Sequence, residues 1–329
     1  MVTSVGLNAP ASATAIRAGV SAASETQFID WGGQRIIAHS APLALPAGRA
    51  KLVRMVAMAI DECLGAAAPG ATTGVPLLLC VAEPDRPGRL DALDASLIAE
   101  IEAELGMRFA ASSRVIAQGR VGGLVGLQHA RSLIHSAQAN AVVVAGVDGY
   151  IAWPMLSAFE IRRRLLTSQN SNGFVPGEAA GAVQVTAPHA DAAWLCAGVG
   201  FALEAATLES GEPLRGVGLA QAIRAAADQA GCSAHQFDFR VCDVSGEQYY
   251  FKEAALAMAR LVREPRDSAE LWHPAECIGE VGAAAGPIVL ALAACAYDRG
   301  YAPGPRVLCH FSNDAGERAA ALLARGVTR

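Results

Sequence analysis

Continuous apolar runs alternate with amphipathic stretches along this chain. Residues 75–81 and 141–146 are nearly unbroken apolar runs closed by turn residues, which is typical of central strands in a parallel sheet. Apolar positions recur with helical spacing over residues 49–65, 91–105 and 122–136. The pattern therefore predicts buried strands separated by helices in the first half of the chain.

Two of these helices have further signals. The helix over 91–105 is expected to begin after Asp91 or Asp94, because a short acidic side chain can accept a hydrogen bond from the first free amides. The helix over 122–136 carries almost no charge. Since a helix without a polar face has to be covered by protein, we expect it to be buried on most sides.

The second half repeats this alternation. After a strand over 181–186 that ends near Pro188, the pattern predicts helices at 216–230, 248–262 and 282–297, and strands at 239–244 and 306–311. Strands alternating with helices favour an α/β architecture with parallel pairing and right-handed crossovers. We expect two similar halves, residues 1–187 and 188–329, and a polar loop at 167–173 that is flexible or contacts a partner.

Composition excludes several classes of function. The 329 residues are 53% hydrophobic, which supports a large core, and the net charge of −5 without a basic block argues against a nucleic-acid partner. The start of the chain resembles no signal peptide, and the apolar runs stay short of the roughly 18 residues that span a bilayer. We expect a cytoplasmic protein without membrane insertion, whose eight scattered cysteines are free thiols, mostly buried.

Neither a metal nor a cofactor is expected. His129 and His135 are six residues apart on one predicted helix, so their side chains lie about 120° apart around its axis. Cys309 and His310 are neighbours on a predicted strand and point to opposite faces. The glycines between 119 and 126 lack the Gly-x-Gly-x-x-Gly spacing of a dinucleotide loop.

Three stretches carry a resemblance to a known family. The first, residues 120–146, has the layout of a turn, a buried helix and a strand ending in Ala-Gly. The second, 173–182, is similar to Gly-Phe-x-x-Gly-Glu-Gly-Ala-Gly, and the third, 279–286, is similar to a glycine-alanine turn that begins a helix. With an opening strand at 5–7 and a closing strand before Ser312, the chain resembles the β-ketoacyl synthases of the thiolase superfamily. The resemblance implies a thiolase-like fold, with two α/β halves in a five-layered α-β-α-β-α arrangement.

The positions that carry chemistry in that family are changed here. In the family, a cysteine at a helix N-terminus takes the acyl group, while two histidines support decarboxylation and stabilise the oxyanion. The resemblance places Val121 at the cysteine, Ser245 and Glu280 at the two histidines, and Ala275 at an accompanying lysine. A valine has no lone pair with which to attack a thioester. The resemblance therefore implies that the catalytic triad is absent.

The loop after the last strand offers the candidate pocket residues. In the family this loop gates the acyl tunnel with an aromatic side chain, and Asn313 stands at that position. The candidates for lining an acyl pocket are Phe311, Ser312 and Asn313. The chain is also shorter than full-length synthases, which implies trimmed loops over the tunnel.

Three carboxylates have a structural and a chemical interpretation. Ser245 with Glu280 or Glu247 suggests hydrolysis, but a nucleophilic serine needs a general base, and the resemblance supplies no histidine for it. We expect instead that Glu280 caps the helix starting near Gly282 and that Glu247 caps the helix starting at residue 248. Glu178 is expected to accept backbone amide bonds.

Function is expected to follow from the loss of the triad. We expect a degenerate β-ketoacyl synthase-like protein that is a non-catalytic scaffold or partner subunit, resembling a chain-length factor or an accessory protein that docks a secretion or biosynthetic cargo. The alternatives are an acyltransferase or 3-oxoacyl-carrier-protein synthase with atypical residues, and an acyl-group binder. The resemblance implies a homodimer, or a heterodimer with another thiolase-fold protein, formed through the strand before Val121. An acyl-carrier protein or a cargo protein is a possible further partner.

Overall fold

A computed structural model describes residues 1–65, 74–189, 192, 194–262 and 270–326. The elements up to residue 186 comprise helices α1 (Ala9–Arg17), α2 (Arg49–Gly65), α3 (Ala95–Leu105), α4 (Gly122–His135) and α5 (Trp153–Ile161), and strands β1 (Ser24–Ile29), β2 (Arg35–Ala38), β3 (Leu77–Val81), β4 (Arg114–Ala117), β5 (Ala141–Gly149) and β6 (Glu178–Thr186). A short 3-10 turn, Gly119–Val121, leads into α4.

The later elements follow a similar order. They comprise strand β7 (Trp194–Leu203), helix α6 (Val217–Ala230), strand β8 (Phe239–Cys242), helix α7 (Gln248–Leu261), strand β9 (Leu271–Trp272), helices α8 (Ala275–Ile278) and α9 (Ala285–Asp298), and strands β10 (Arg306–Ser312) and β11 (Glu317–Arg325). A 3-10 turn, Gly282–Ala284, precedes α9 in the same way that a 3-10 turn precedes α4.

The two main sheets have matching strand orders. The first sheet runs β4-β3-β5-β6 and the second runs β9-β8-β10-β11-β7. In both, the inner strands pair in parallel, and the strand after them, β6 or β11, is antiparallel. The second sheet has one more strand, β7, which pairs along the whole of β11. The corresponding contact in the first sheet is a single bridge between Val2 and Ala180.

Three hydrophobic clusters define five layers. One cluster lies between α2, α3 and the outer face of the first sheet, and another lies between α6, α7 and the outer face of the second. The largest cluster joins the facing sides of both sheets to α4 and α9, which form the middle layer. The five-layered α-β-α-β-α arrangement predicted above is confirmed.

Close backbone approaches hold the middle layer in place. A Cβ at Gly123 of α4 would lie 2.7 Å from the Cα of Gly286 in α9, so the two helices cross at glycines. A Cβ at Gly146 of β5 would lie 2.3 Å from the carbonyl oxygen of Ala283. These contacts bring the turn before α9 directly onto the first sheet.

Several predictions need correction. The opening strand predicted at Val5–Leu7 is wrong, because these residues lie in a turn in which Thr3 and Gly6 pair with each other. Helix α4 is buried through its first turns, but Gln128, Arg131 and His135 near its end are exposed. Pairing is mixed in both sheets rather than parallel throughout.

Other features agree with expectation or were missed. Asp94 caps α3 by accepting from the amide of Ser96, as predicted. All eight cysteines are free; four are buried and Cys196 is exposed.

The sequence patterns did not predict the β1-β2 hairpin, α1, α5, β7 or β11. None of the helices within the described ranges has both the length and the apolar stretch needed to cross a bilayer.

The polar loop at 167–173 is tied down by hydrogen bonds. The side-chain amide of Asn170 donates to the carbonyl oxygens of Arg163, Leu165 and Asn172. The hydroxyl of Ser168 donates to Asp30 across 2.8 Å. A role for this loop in partner contact stays a prediction.

Candidate functional site

The site is built around the turn that carries Val121. Strand β4 ends at Ala117, and the 3-10 turn that follows needs a glycine at 119, where φ is +50° and a Cβ would lie 2.2 Å from a carboxylate oxygen of Glu83. Val121 stands at the N-terminus of α4, 2% exposed, and belongs to the central hydrophobic cluster. An aliphatic side chain thus packs into the core at the position predicted for the nucleophile.

Arg120 fills the space beside Val121. Its guanidinium group is buried and lies over the ring of Tyr250, 4.5 Å from the ring centroid. It donates to the Tyr250 hydroxyl across 2.9 Å and forms an ion pair with Asp314. The same group lies 3.5 Å from Glu280 and 3.9 Å from Asp243. One arginine therefore joins three carboxylates from three different turns.

Ser245 and Glu280 are in direct contact. The Ser245 hydroxyl donates to Oε2 of Glu280 across 2.5 Å. The other carboxylate oxygen of Glu280, Oε1, accepts from the amide of Gly282 across 2.8 Å. The structure thus brings together the turns that carry all three predicted positions, since Arg120, next to Val121, contacts the same carboxylate.

The predicted caps have different outcomes. Glu280 does cap the 3-10 turn at Gly282. Glu247 stands at the N-cap position of α7, but its side chain makes no capping bond. The cap prediction for Glu247 is wrong, because both of its oxygens accept from the guanidinium of Arg164 across 2.7 Å. Glu178 accepts the amide of Ala41, as expected, and also pairs with Lys51.

Phe311, Ser312 and Asn313 are all buried. Phe311 belongs to the central cluster, and the Ser312 hydroxyl donates to Glu253 across 2.7 Å. The side chain of Asn313 bridges to the turn before α4: its amide donates to the carbonyl oxygen of Gln118, and its oxygen accepts the amide of Val121. Asn313 therefore links the turn after β10 to the turn before α4.

Arg164 and Asp314 extend the network. Arg164 is buried, pairs with Glu247, and contacts the same Asp314 carboxylate that Arg120 holds. Burial alone would raise the pKa of Asp314, but the two guanidinium groups lower it well below its usual range. Asp314 is therefore ionised and links the two arginines.

Asp243 has the opposite shift. Burial raises its pKa to about 7, against the attraction of Arg120 and a hydrogen bond from the Ser312 amide. The neighbouring carboxylate of Glu280 adds to this rise. Burial thus favours the protonated form of Asp243.

A second cluster adjoins the first. Arg86 is buried, donates to Asp148 across 2.6 Å and to Glu83 across 2.5 Å, and lies 4.6 Å from the centroid of the Tyr150 ring. Asp148 in turn accepts the amide of Ala283 in the turn before α9. Burial raises the pKa of Asp148 and Arg86 opposes that rise. Charged groups therefore line the whole junction between the two 3-10 turns.

The sequence contains a signal for this network that lies outside the family motifs. An acid lies at or just after the end of each of four parallel strands: Glu83 after β3, Asp148 in β5, Asp243 after β8 and Asp314 after β10. Functional residues in α/β sheets gather at the carboxyl ends of parallel strands. Which arginine pairs with which acid depends on tertiary contacts. The pattern of acids alone would therefore have indicated where the network lies, but not which ion pairs form.

Ketosynthases are among the solved structures with a similar fold. A chain of the complex of a type II PKS acyl-carrier protein with its ketosynthase bound to the hexaketide matches with a TM-score of 0.79 and 16% identity, over 99% of this chain and 97% of that one. The ishigamide ketosynthase/chain length factor matches with a TM-score of 0.77 and 18% identity, over 98% and 96%. A β-ketoacyl synthase from Burkholderia phymatum matches with 0.71 and 15%, over 98% and 97%.

A ketosynthase from Xenorhabdus doucetiae in complex with its chain length factor matches similarly, with a TM-score of 0.74 and 14% identity over 98% and 96% of the two chains. No protein-family model matches the chain, and no curated protein matches it. Identities this low establish the fold alone. The chain has the thiolase-like fold, as the sequence resemblance implied.

Proposed function

We propose that this protein is a non-catalytic thiolase-fold subunit that pairs with an active ketosynthase, as a chain length factor does. Two of the structural neighbours are ketosynthases solved with their chain length factors, so the fold is compatible with such pairing. A docking protein for unrelated cargo needs no such partner, whereas this function requires a partner that has the same fold and carries the chemistry.

The observation that carries the proposal is the pair Val121 and Arg120. A ketosynthase reaction begins with a thiolate at the N-terminus of the buried helix, where the helix dipole favours the anion. Here that position holds a valine, and the adjacent arginine ties Asp243, Glu280 and Asp314 into one buried network. The space beside the helix N-terminus is occupied by ion pairs instead of a nucleophile and an acyl thioester.

Hydrolysis through Ser245 is the less favoured function. A serine attacks only when a general base takes its proton, and the hydrogen-bond partner of Ser245 is Glu280. That carboxylate already accepts the Gly282 amide through Oε1, while Oε2 lies 3.5 Å from Arg120, so both of its oxygens are engaged by other groups. The Ser245–Glu280 pair is better explained as a structural bond between two turns.

The partner contact is proposed at strand β4. Among the described strands, β4 is the outermost of the first sheet on the side opposite β6. Its Arg114 is exposed, and its outer backbone edge can pair with an equivalent strand of a second thiolase-fold chain. Such pairing would join two four-stranded sheets into one continuous sheet.

Co-expression with the ketosynthase encoded nearest to it tests the pairing. We expect a 1:1 complex in sedimentation velocity and slower amide hydrogen exchange at residues 114–117 in the complex than in the free chain. Residues 182–186, at the opposite edge of the same sheet, provide the internal control and should exchange equally in both. A chain that stays unassociated, or a complex in which residues 114–117 keep their exchange rates, would overturn the proposed pairing.

A further inference from the structure

The carboxylate of Asp314 lies in a cradle of hydrogen-bond donors. It accepts from Nη2 of Arg120 across 2.5 Å, from Nη1 and Nη2 of Arg164, and from the hydroxyl of Tyr250. All three donor side chains are buried, whereas 33% of the Asp314 side chain is exposed. Donors on two guanidinium groups and a hydroxyl that converge on two oxygens form a binding site for a carboxylate, and the site reaches solvent at the carboxylate itself.

The donors of this cradle are also held by groups other than Asp314. Both oxygens of Glu247 accept from Arg164 across 2.7 Å, and Arg120 lies 3.5 Å from Glu280. Donors that are already fixed bind an anion without a further cost of ordering them. The cradle should therefore keep its arrangement when the side chain of Asp314 is removed.

The anion in the cradle comes from a turn of the same chain. Asp314 lies between β10 and β11, in a turn that is closed by a backbone bond from Asn313 to Glu317 across 2.9 Å and another from Gly316 to Asn313 across 3.3 Å. The side chain of Asn313 accepts the amide of Val121, directly before α4. Two neighbouring side chains of one turn thus fill the cradle and cover an amide at the start of a helix, where anions are otherwise favoured.

The surrounding charges suit a monovalent anion. The two arginines of the cradle are accompanied by four acids besides Asp314, namely Glu83, Asp243, Glu247 and Glu280. A single carboxylate in place of Asp314 restores the charge of the intact network. A divalent anion such as phosphate would add a second negative charge beside these acids, so it fits less well.

We propose that the turn between β10 and β11 is an internal plug, in which Asp314 occupies a binding site for a monovalent carboxylate. An external carboxylate reaches the two arginines only when the side chain of Asp314 is removed or displaced, so the intact chain is closed to anionic ligands at this place. The inference rests on the proposed function, because a subunit without turnover does not need this site open.

Chemical rescue with two small carboxylates is the test. Asp314→Ala keeps Cβ and frees a space of the size of formate, whereas Asp314→Gly frees the space of acetate, which reproduces both Cβ and the carboxylate. Loss of the buried ion pairs should lower the midpoint of thermal unfolding of both variants by roughly 4 °C or more. Sodium formate that replaces sodium chloride at constant ionic strength should raise the midpoint of both variants saturably, and sodium acetate should do so for the glycine variant alone.

Three proteins serve as controls. Asp314→Asn fills the space with a neutral amide, so neither carboxylate should raise its midpoint. The unaltered chain has its own carboxylate in place and should not respond either. Asp228→Ala, at an exposed position of α6, measures any general effect of formate on stability.

Three results would overturn the plug. They are no response of the alanine and glycine variants to formate, responses that match those of Asp314→Asn or the unaltered chain, and equal action of formate and acetate on the alanine variant. If the two variants do not fold in chloride, the yield of refolding decides: refolding in formate supports the plug, and refolding in neither salt overturns it. No partner chain takes part in these measurements, so their failure is distinct from a failure of the pairing with a ketosynthase, which co-expression measures.

Discussion

The hydroxyl of Ser245, after β8, and the carboxylate of Glu280, before α9, are joined by a 2.5 Å hydrogen bond. In a ketosynthase the resemblance would place a histidine at each of these positions. Here the serine hydroxyl donates a hydrogen bond to the glutamate, and Glu280 also accepts the amide of Gly282 in the turn before α9. The bond, together with the Arg120 network, gives the junction between the two 3-10 turns a structural role.

Arg120 should be essential for stability. Arg120→Met leaves the carboxylates of Asp243, Glu280 and Asp314 without their shared partner, and breaking a buried ion pair by removing one side costs roughly 3–5 kcal/mol. The free energy of unfolding in urea should fall by that amount. Arg131→Met, at an exposed position of α4, is the matched control and should change it by about 0.5 kcal/mol or less. Equal effects of the two variants would show that the network contributes nothing.

Asp243 should make stability fall as the pH rises. Its pKa is about 7 in the folded protein and near 3.8 in the unfolded chain, so the folded state holds the extra proton between these values. The stability that this proton contributes is complete below pH 3.8. It is lost at about 1.4 kcal/mol per pH unit as the pH rises towards 7, and above that pH no more is lost. Asp243→Asn removes this dependence.

The measurement is the difference between Asp243→Asn and the unaltered chain, taken from urea unfolding at pH 5 and pH 7. Relative to the unaltered chain, the variant should gain roughly 2.5 kcal/mol over this interval. A constant difference would mean that Asp243 ionises at its usual pH. Asparagine can still accept the Ser312 amide, so the backbone contact is kept in the comparison.

His310 should act in the opposite direction. Burial, with Arg240 nearby, lowers the pKa of His310 to about 3, so the folded state keeps this imidazole neutral while the unfolded chain becomes protonated below pH 6.5. Its contribution is therefore complete above pH 6.5 and is lost as the pH falls towards 3. His310→Leu should gain roughly 2 kcal/mol relative to the unaltered chain between pH 7 and pH 5. Parallel stability curves for the two proteins would contradict this.

Gly146 should tolerate no side chain. A Cβ there would lie 2.3 Å from the backbone oxygen of Ala283, so Gly146→Ala has to push the turn before α9 off the first sheet, at an expected cost of about 1–3 kcal/mol. Gly65→Ala is the control, because Gly65 ends α2 with open space around its Cα. It should be neutral or raise stability by up to about 1 kcal/mol. Thermal unfolding of both variants measures the contrast.

The fold was predictable from the sequence where apolar runs and glycine turns agree. Strands β3 and β5 are buried on both faces and are continuous apolar runs, and the glycines at the starts of α4 and α9 indicate where the helices cross. Strand β11, Glu317–Arg325, is rich in alanine and leucine and has the composition of a helix; pairing on both of its sides overrides that propensity.

Strand β7 was missed for a different reason. It contains Gly198 and Gly200, which weaken a strand pattern, yet a Cβ at either would lie within about 2.1 Å of a carbonyl oxygen of α6. The ion pairs of the site were missed because each joins residues far apart in the chain, as Arg120 and Asp314 do. The prediction that Val121, Ser245 and Glu280 replace a catalytic triad rests on resemblance and requires a chemical test.

The most direct test is intact mass spectrometry of the purified protein after incubation with acyl-loaded and malonyl-loaded acyl-carrier protein, with an active ketosynthase treated in parallel. The account predicts an acyl adduct on the ketosynthase, none on this chain, and no consumption of the malonyl donor by this chain alone. An adduct on any of its residues would contradict the account. So would turnover of the malonyl donor by the purified protein that Ser245→Ala abolishes.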